Sequence, residues 1–165
     1  MSILQIENIA DQGESGRRAL LDLNNAHARE TSFMTEAHFE SLLAGAFSAV
    51  CVPKAAALLI AFDHRGSYNN PNFRWFSERY EEFVYVDRIV VGQAFQGKGL
   101  ARRLYEHLFD LARQARLNRV VCEVNLDPPN PESDAFHERM GFVEVGKAVL
   151  KNREKTVRYL CKPLD

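Results

Sequence analysis

A chain of 165 residues with a net charge of −1 and an apolar fraction of 46% is expected to fold as one globular domain, residues 1–165, with a substantial core. The near-neutral charge argues against nucleic acid or an anionic membrane surface as a partner, and no apolar run approaches the ~20 residues that span a bilayer. Three scattered cysteines, Cys51, Cys122 and Cys161, read as reduced thiols, and a start that carries Glu7 without a basic region reads as no secretory signal; both point to the cytoplasm.

In chain order, weak alternation over residues 3–6 predicts a first strand. Residues 15–30 carry Leu20, Leu21, Leu23 and Ala28 among charges and predict an amphipathic helix. Thr35 is the candidate N-cap of a second helix, with His38, Phe39, Leu42 and Leu43 on one side and Gly45 at its end. Two apolar runs, 47–52 and 56–62, read as strands joined by a turn at Pro53-Lys54. The stretch 63–82 has no apolar period. At about twenty residues it exceeds a simple hairpin connection, a length at which loops commonly carry function, and it has room for a short helix.

The β-branched and aromatic run FVYVDRIVV at 83–91 is the strongest strand signal. Leu100, Leu104, Leu108, Leu111, Ala112 and Ala115 then recur at spacings of three and four and predict a helix. Residues 120–124 read as a buried strand, and Pro128, Pro129 and Pro131 as a turn. Residues 133–140 read as a short helix ended by Gly141, and 142–150 and 156–160 as a closing strand pair. The resulting order predicts a mixed sheet with helices on its faces.

Between the strongest strand and the strongest helix stands GQAFQGKGLA, residues 92–101, one residue short of a nucleotide-triphosphate P-loop. Gly99 occupies the place of the Ser or Thr that would hold Mg²⁺, and too few βα units follow to build the parallel sheet such a loop sits on. A strand, a glycine-rich turn and a helix N-terminus still form an anion site, because backbone N–H groups point outward and the helix dipole adds about half a positive charge. Such a site needs no metal and suits a phosphate that is held rather than transferred, as in the pyrophosphate of coenzyme A.

Gln96-x-x-Gly99-x-Ala101 matches the Gln/Arg-x-x-Gly-x-Gly/Ala signature of the GNAT acetyltransferase superfamily, and about forty residues on Asn130-x-x-Ser133-x-x-Phe136-His137-Glu138-Arg139-Met140-Gly141-Phe142 resembles that family's second block. The resemblance covers roughly residues 83–160. It implies a three-layer α/β/α fold whose mixed, mostly antiparallel sheet contains a splayed parallel strand pair, with acyl-CoA in the gap. It further implies that Ile89, Val90 and Val91 pair with the pantetheine through their main chain. Gln96, Gly97, Lys98, Gly99, Leu100, Ala101 and Arg102 would surround the pyrophosphate, with Asn130 and Ser133 also on the cofactor. Asn125 is the alternative occupant if the Pro128-Pro129 turn displaces Asn130.

The implied activity is acetyl transfer from acetyl-CoA, as co-substrate and without a metal, to a primary amine of a small molecule or amino-acid-like acceptor in the cytoplasm, with room for a homodimer. The rival is a catalytically idle CoA-binding regulatory or scaffold module. Amine acylation needs a proton acceptor and a proton donor for the leaving thiolate. Strict alternation places Tyr85, Asp87, Ile89 and Val91 on one strand face, which nominates Asp87 as base beside Tyr85. Glu123 on the neighbouring strand is its rival. His137, where the family often has Tyr, is the candidate acid. Asn72, Arg74 and Trp75 are candidates for the acceptor wall together with Glu123 and Asn125, and an Arg74 facing the cleft would select a carboxylate-bearing acceptor. His27, His38, His64 and His107 show no metal-ligand spacing.

Overall fold

The structure is a computed structural model and describes residues 5–28, 31–127, 129–150 and 155–165. Among these residues the chain forms β1 (Glu7–Asn8), α1 (Glu14–Ala26), α2 (Glu36–Gly45), β2 (Ser48–Val52), β3 (Ala57–Asp63), α3 (Pro71–Ser77), β4 (Val84–Val91), α4 (Leu100–Gln114), β5 (Arg119–Asp127), α5 (Pro131–Arg139), β6 (Val143–Val149) and β7 (Thr156–Pro163). The strands make one open sheet in the order β1-β2-β3-β4-β5-β7-β6, antiparallel except for β4 against β5.

Helices cover both faces, each over its own core. On one face Leu100, Leu104, Leu108 and Ala112 of α4 pack on Leu59, Val84, Val86 and Val120, joined by Phe136 of α5. On the other, Leu20 of α1, Phe39 of α2 and Phe76 of α3 pack on Leu58, Ile60, Tyr85 and Tyr159. An apolar stripe at helical spacing turns α1, α2 and α4 onto the sheet. Local chemistry sets the helix starts. Thr35 caps α2 by accepting from His38 N at 3.1 Å. Asn70 caps α3 by accepting from Asn72 N at 2.8 Å and Phe73 N at 3.2 Å, with Pro71 in the first turn. Asn130 and Pro131 repeat that pattern in α5.

The first strand is Glu7–Asn8, paired with Cys51 and Val50; of the residues 3–6 expected to form it, 3 and 4 lie outside the described residues. The first helix stops at Ala26, short of residue 30. Asn24 and Asn25 near its end turn their amides onto the following loop: Asn24 Nδ2 donates to Ser32 O at 2.9 Å, and Asn25 Oδ1 accepts from Met34 N at 2.9 Å. The β2–β3 turn centres on Lys54 and Ala55, with φ of 68° and 52°, one residue later than expected. Proline is locked near φ −65° and cannot take a left-handed corner. The long connection 63–82 contains α3, whose placement the sequence pattern left open.

Two departures from a regular ladder build the centre of the molecule. β4 and β5 pair only at Val84↔Val120 and Tyr85↔Val121, and then diverge while both strands continue. On its other side β4 pairs β3 with a bulge: Ile60 faces Arg88 and Ala61 faces Val86, so Asp87 is the extra residue. The bulge breaks the alternation expected along β4. Ile89 and Val91 pack with the α4 core, whereas Tyr85 and Val90 belong to the opposite core. Tyr85, Asp87, Ile89 and Val91 therefore do not share one face.

Candidate active site

A groove of about 1170 Å³ runs from the α4 N-terminus past the end of β4 to α5. Its lining brings together Ile89, Val90, Val91, Gln96, Gly97, Gly99, Leu100, Ala101, Arg102, Asn130, Ser133 and His137. Gly97 and Gly99 both have φ of 78°, and a Cβ on either would meet no atom within 4 Å, so the turn is left-handed and leaves open space beside its backbone. Gly99 is the N-cap of α4 and offers no side-chain cap, and the N–H of Arg103 is the one that returns to Gly99 O, at 3.1 Å. The N–H groups of Leu100, Ala101 and Arg102 thus point out of the first turn, where an anion is favoured.

Lys98 does not line the groove; its Nζ lies 5.8 Å from the Phe95 ring centre. Arg102 shares its charge with Glu106 at 2.8 Å on the exposed helix surface. Asn130 uses its side-chain oxygen to cap α5, accepting from Ser133 N at 3.2 Å. Asn125 stands on β5 opposite Val157, outside the groove lining. Residues that the sequence did not nominate as cofactor contacts also line the groove: Phe95, Phe136 and Met140, and His27 and Thr31 from the α1–α2 connection. The last two lie at the end of a helix and in a loop, where no periodicity marks them.

Beyond the last β4–β5 rung, Glu123 occupies the fork. Its Oε1 accepts from the Tyr85 hydroxyl at 2.6 Å, and its Oε2 accepts from Asn72 Nδ2 at 3.0 Å. The Tyr159 hydroxyl donates in turn to Asn72 Oδ1 at 2.8 Å. Burial pushes the Glu123 carboxyl up to about 7, against the hydrogen bond from Tyr85; nearby Asp87 adds to the rise. Tyr85 itself is fully buried, and burial beside Glu123 holds its phenol well above the usual range. Trp75 stacks on Tyr159 at 4.2 Å between ring centres and takes the Arg79 guanidinium on its ring at 3.8 Å. Arg74 is on the opposite side of α3, exposed and bonded to Asn69 Oδ1 at 2.7 Å.

Asp87 sits one bulge away from this cluster with both oxygens engaged. Oδ1 accepts from the Tyr68 hydroxyl and Oδ2 from Arg88 Nε at 2.7 Å, and the two charged side chains are 3% and 4% exposed. Arg88 continues to Asn24 Oδ1 at 3.0 Å. The pair ties the loop before α3 and the end of α1 to the bulge.

His137 lies on the other face, buried under α4. Its Nδ1 is 2.7 Å from Ser133 O, and a carbonyl only accepts, so the ring proton is on Nδ1. Nε2 then accepts from the Tyr105 hydroxyl at 3.0 Å. Burial pushes the His137 pKa below its ordinary value, which keeps the ring neutral around pH 7. Among the described residues no helix is long and apolar enough to cross a membrane, and no group of three His, Cys, Asp or Glu side chains is placed to hold a metal ion.

Solved acetyltransferases share this fold. The subunit of the NatC complex bound to Gag peptide and CoA superposes with a TM-score of 0.76 at 15% identity, covering 99% of this chain and 100% of that one. The ribosomal-protein-S18-alanine N-acetyltransferase of Escherichia coli superposes at 0.70 with 18% identity, covering 99% and 95%. A Salmonella typhimurium structure with its cofactor acetyl-CoA superposes at 0.67 with 19% identity, covering 99% and 95%. In sequence, the 5-NmdU N-acetyltransferase of Pseudomonas phage PaMx11 is 34% identical over 61 residues, a match that spans 37% of this chain and 40% of the phage protein. The model of the Acetyltransferase (GNAT) family matches residues 56–142. The chain belongs to the GNAT acetyltransferase family.

Proposed function

We propose that the protein moves an acetyl group from acetyl-CoA to an amine, with Glu123 as the proton acceptor. The carrying observation is the carboxylate at the β4–β5 fork, held by Tyr85 and Asn72 and pushed up to about 7. A carboxylate in that range is half ionised near neutrality and more basic than an exposed one, which suits general-base work at pH 7.

The residues of the groove fit acetyl-CoA. The left-handed Gly97 and Gly99 leave the space that a Cβ would fill, and the first-turn N–H groups of α4 match a pyrophosphate. Ile89, Val90 and Val91 lie on β4 past its last β5 partner, so their main chain on that side suits the amides of a pantetheine arm. Acetyl-CoA supplies the activated thioester. The chain supplies the holding turn and the proton acceptor Glu123. His137, the expected donor, gives its Nδ1–H to Ser133 O and accepts from the Tyr105 hydroxyl at Nε2, and a neutral buried ring gives no support to an acid role.

For the acceptor we favour a primary amine on a small or amino-acid-like molecule, approaching the face that carries Asn72 and Trp75. The outward Arg74 gives no support to a carboxylate clamp there. Relatives named for a peptide, a ribosomal protein and 5-NmdU make the acceptor the open variable. The test is release of free CoA thiol from acetyl-CoA across a panel of small amines, amino acids and peptide N-termini. Turnover with one class identifies it. Tight CoA binding with no thiol release across all classes would instead favour a regulatory CoA-binding module.

A further inference from the structure

Asn72 stands between Glu123 and Tyr159, and its amide has a direction. The nitrogen end donates to Glu123 Oε2 at 3.0 Å, and the oxygen end accepts from the Tyr159 hydroxyl at 2.8 Å. A primary amide is a donor at one end and an acceptor at the other, so the end that faces a carboxyl group decides which protonation state it favours. The nitrogen end stabilises the carboxylate. The oxygen end would stabilise the acid.

The Tyr159 ring is itself held from two sides. Trp75 stacks on it with 20° between the planes, and Phe76 meets it edge-on at 5.2 Å. The indole reaches that place only because residue 146 is glycine: a Cβ there would lie 2.7 Å from Trp75 Cη2. The edge strand β6 thus seats an aromatic pair whose hydroxyl reaches the polar cluster at the fork.

We propose that Tyr159 is a positioning residue for the reaction: by holding the Asn72 amide with its nitrogen toward Glu123, it sets the pH at which that carboxylate becomes available. The inference rests on the reading of Glu123 as the proton acceptor. The other titratable groups that act on Glu123 are Tyr85 and Asp87 of β4, its chain neighbour Cys122 and, across the sheet, Tyr105; Arg79, on the Trp75 ring, is the charge that acts on Tyr159. None of these contacts the Asn72 oxygen, so the amide direction is assigned to Tyr159.

The experiment compares wild type, Tyr159→Phe, Asn72→Leu and the double variant. Two readouts are taken: the titration midpoint of the Glu123 carboxyl by ¹³C NMR without acceptor, and the pH dependence of kcat/KM. Tyr159→Phe keeps the ring and its stack and removes only the hydroxyl. Its Glu123 midpoint is expected to rise, and kcat/KM on the acid limb to fall about tenfold for each pH unit of that rise, with recovery at high pH. Asn72→Leu should move the midpoint the same way. The double variant should move it no further than Asn72→Leu alone, because the hydroxyl acts through the amide.

An unchanged midpoint in folded Tyr159→Phe overturns the proposal, even if thermal stability falls, since that is a packing role only. Additive shifts in the double variant overturn it as well. A raised midpoint with an unmoved acid limb shows that Tyr159 sets the Glu123 titration but removes Glu123 as the base, and it overturns the role of Tyr159 in the reaction.

Discussion

The Tyr85 hydroxyl donates to Glu123 Oε1 at 2.6 Å across the point where β4 and β5 stop pairing. Tyr85 belongs to the last rung of that parallel pair, and Glu123 lies two residues past Val121, the other half of the rung. Period two puts the side chains of Val121 and Glu123 on the same face of β5, so the first residue beyond the rung on that face is an acid. The fork therefore has a carboxylate at its base, held on one oxygen by the strand it has just left.

If Glu123 accepts the proton, Glu123→Gln should lower kcat by roughly 10²–10⁴ while acetyl-CoA affinity stays within about twofold of wild type. In the wild-type enzyme kcat/KM should rise with pH through a midpoint near the value of about 7 to which burial pushes the carboxyl. The residual activity of the variant should lack that limb. A pH–rate profile of both proteins checks this, and near-wild-type turnover in the variant returns Asp87 to consideration.

The same carboxyl makes stability depend on pH. Its folded value is raised above the ordinary carboxylate range, so its contribution is fully present below the unfolded value of about 4.3 and is lost as pH rises through about 7. Glu123→Gln cannot ionise and escapes that loss. The variant should be more stable than wild type at pH 8 by roughly 3–4 kcal/mol and nearly equal to it at pH 4. Denaturant melts at the two pH values measure the difference, and an equal gain at both would show that the carboxyl is not titrating in the fold.

Gly99→Val tests the turn. At φ 78° a β-branched residue is strained by about 1–2 kcal/mol, and the new side chain would enter space where no protein atom lies within 4 Å of the Cβ. Acetyl-CoA affinity should fall at least about tenfold, roughly 1.4 kcal/mol, with a small loss of Tm. Calorimetric titration of the folded variant decides the matter; unchanged affinity would place the phosphates elsewhere.

Asp87→Asn should act mainly on stability. It breaks an ion pair whose partners are 3% and 4% exposed and weakens the bond to Tyr68. The expected cost is about 3 kcal/mol, which is roughly 10 °C in Tm for a domain of this size. At a temperature where the variant remains folded, kcat should change less than about tenfold. Thermal melts with parallel kinetics separate the roles; a drop of 10² or more in kcat without loss of Tm would make Asp87 part of the chemistry.

The strands and helices that flank the site were legible because their patterns are local. The run at 83–91, the glycine turn and the leucine spacing from Leu100 onward each carry their signal within one element. α3 was not placed, although Asn70-Pro71 is a helix start, because Phe73, Trp75 and Phe76 give no clean stripe; they are spread between Tyr85, Phe83 and Tyr159. Tyr159 carried no functional signal at all, since its partner Asn72 is 87 positions away in the chain.

By itself, then, the amino-acid order determined the succession of elements apart from α3, the glycine-rich turn at the start of α4 and the two motifs that resemble the GNAT family. These depend on periodicity, on backbone freedom and on short spacings, all of which are properties of neighbouring residues. It named both Asp87 and Glu123 as acids on adjacent strands and had no means to choose between their surroundings. Strand register made that distinction: one extra residue in β4 against β3 turns Asp87 onto Arg88 and Tyr68, and the parting of β4 from β5 after Tyr85 leaves Glu123 at the fork with Asn72 and Tyr85. Register is a relation between segments far apart in sequence, so only the assembled sheet could decide it.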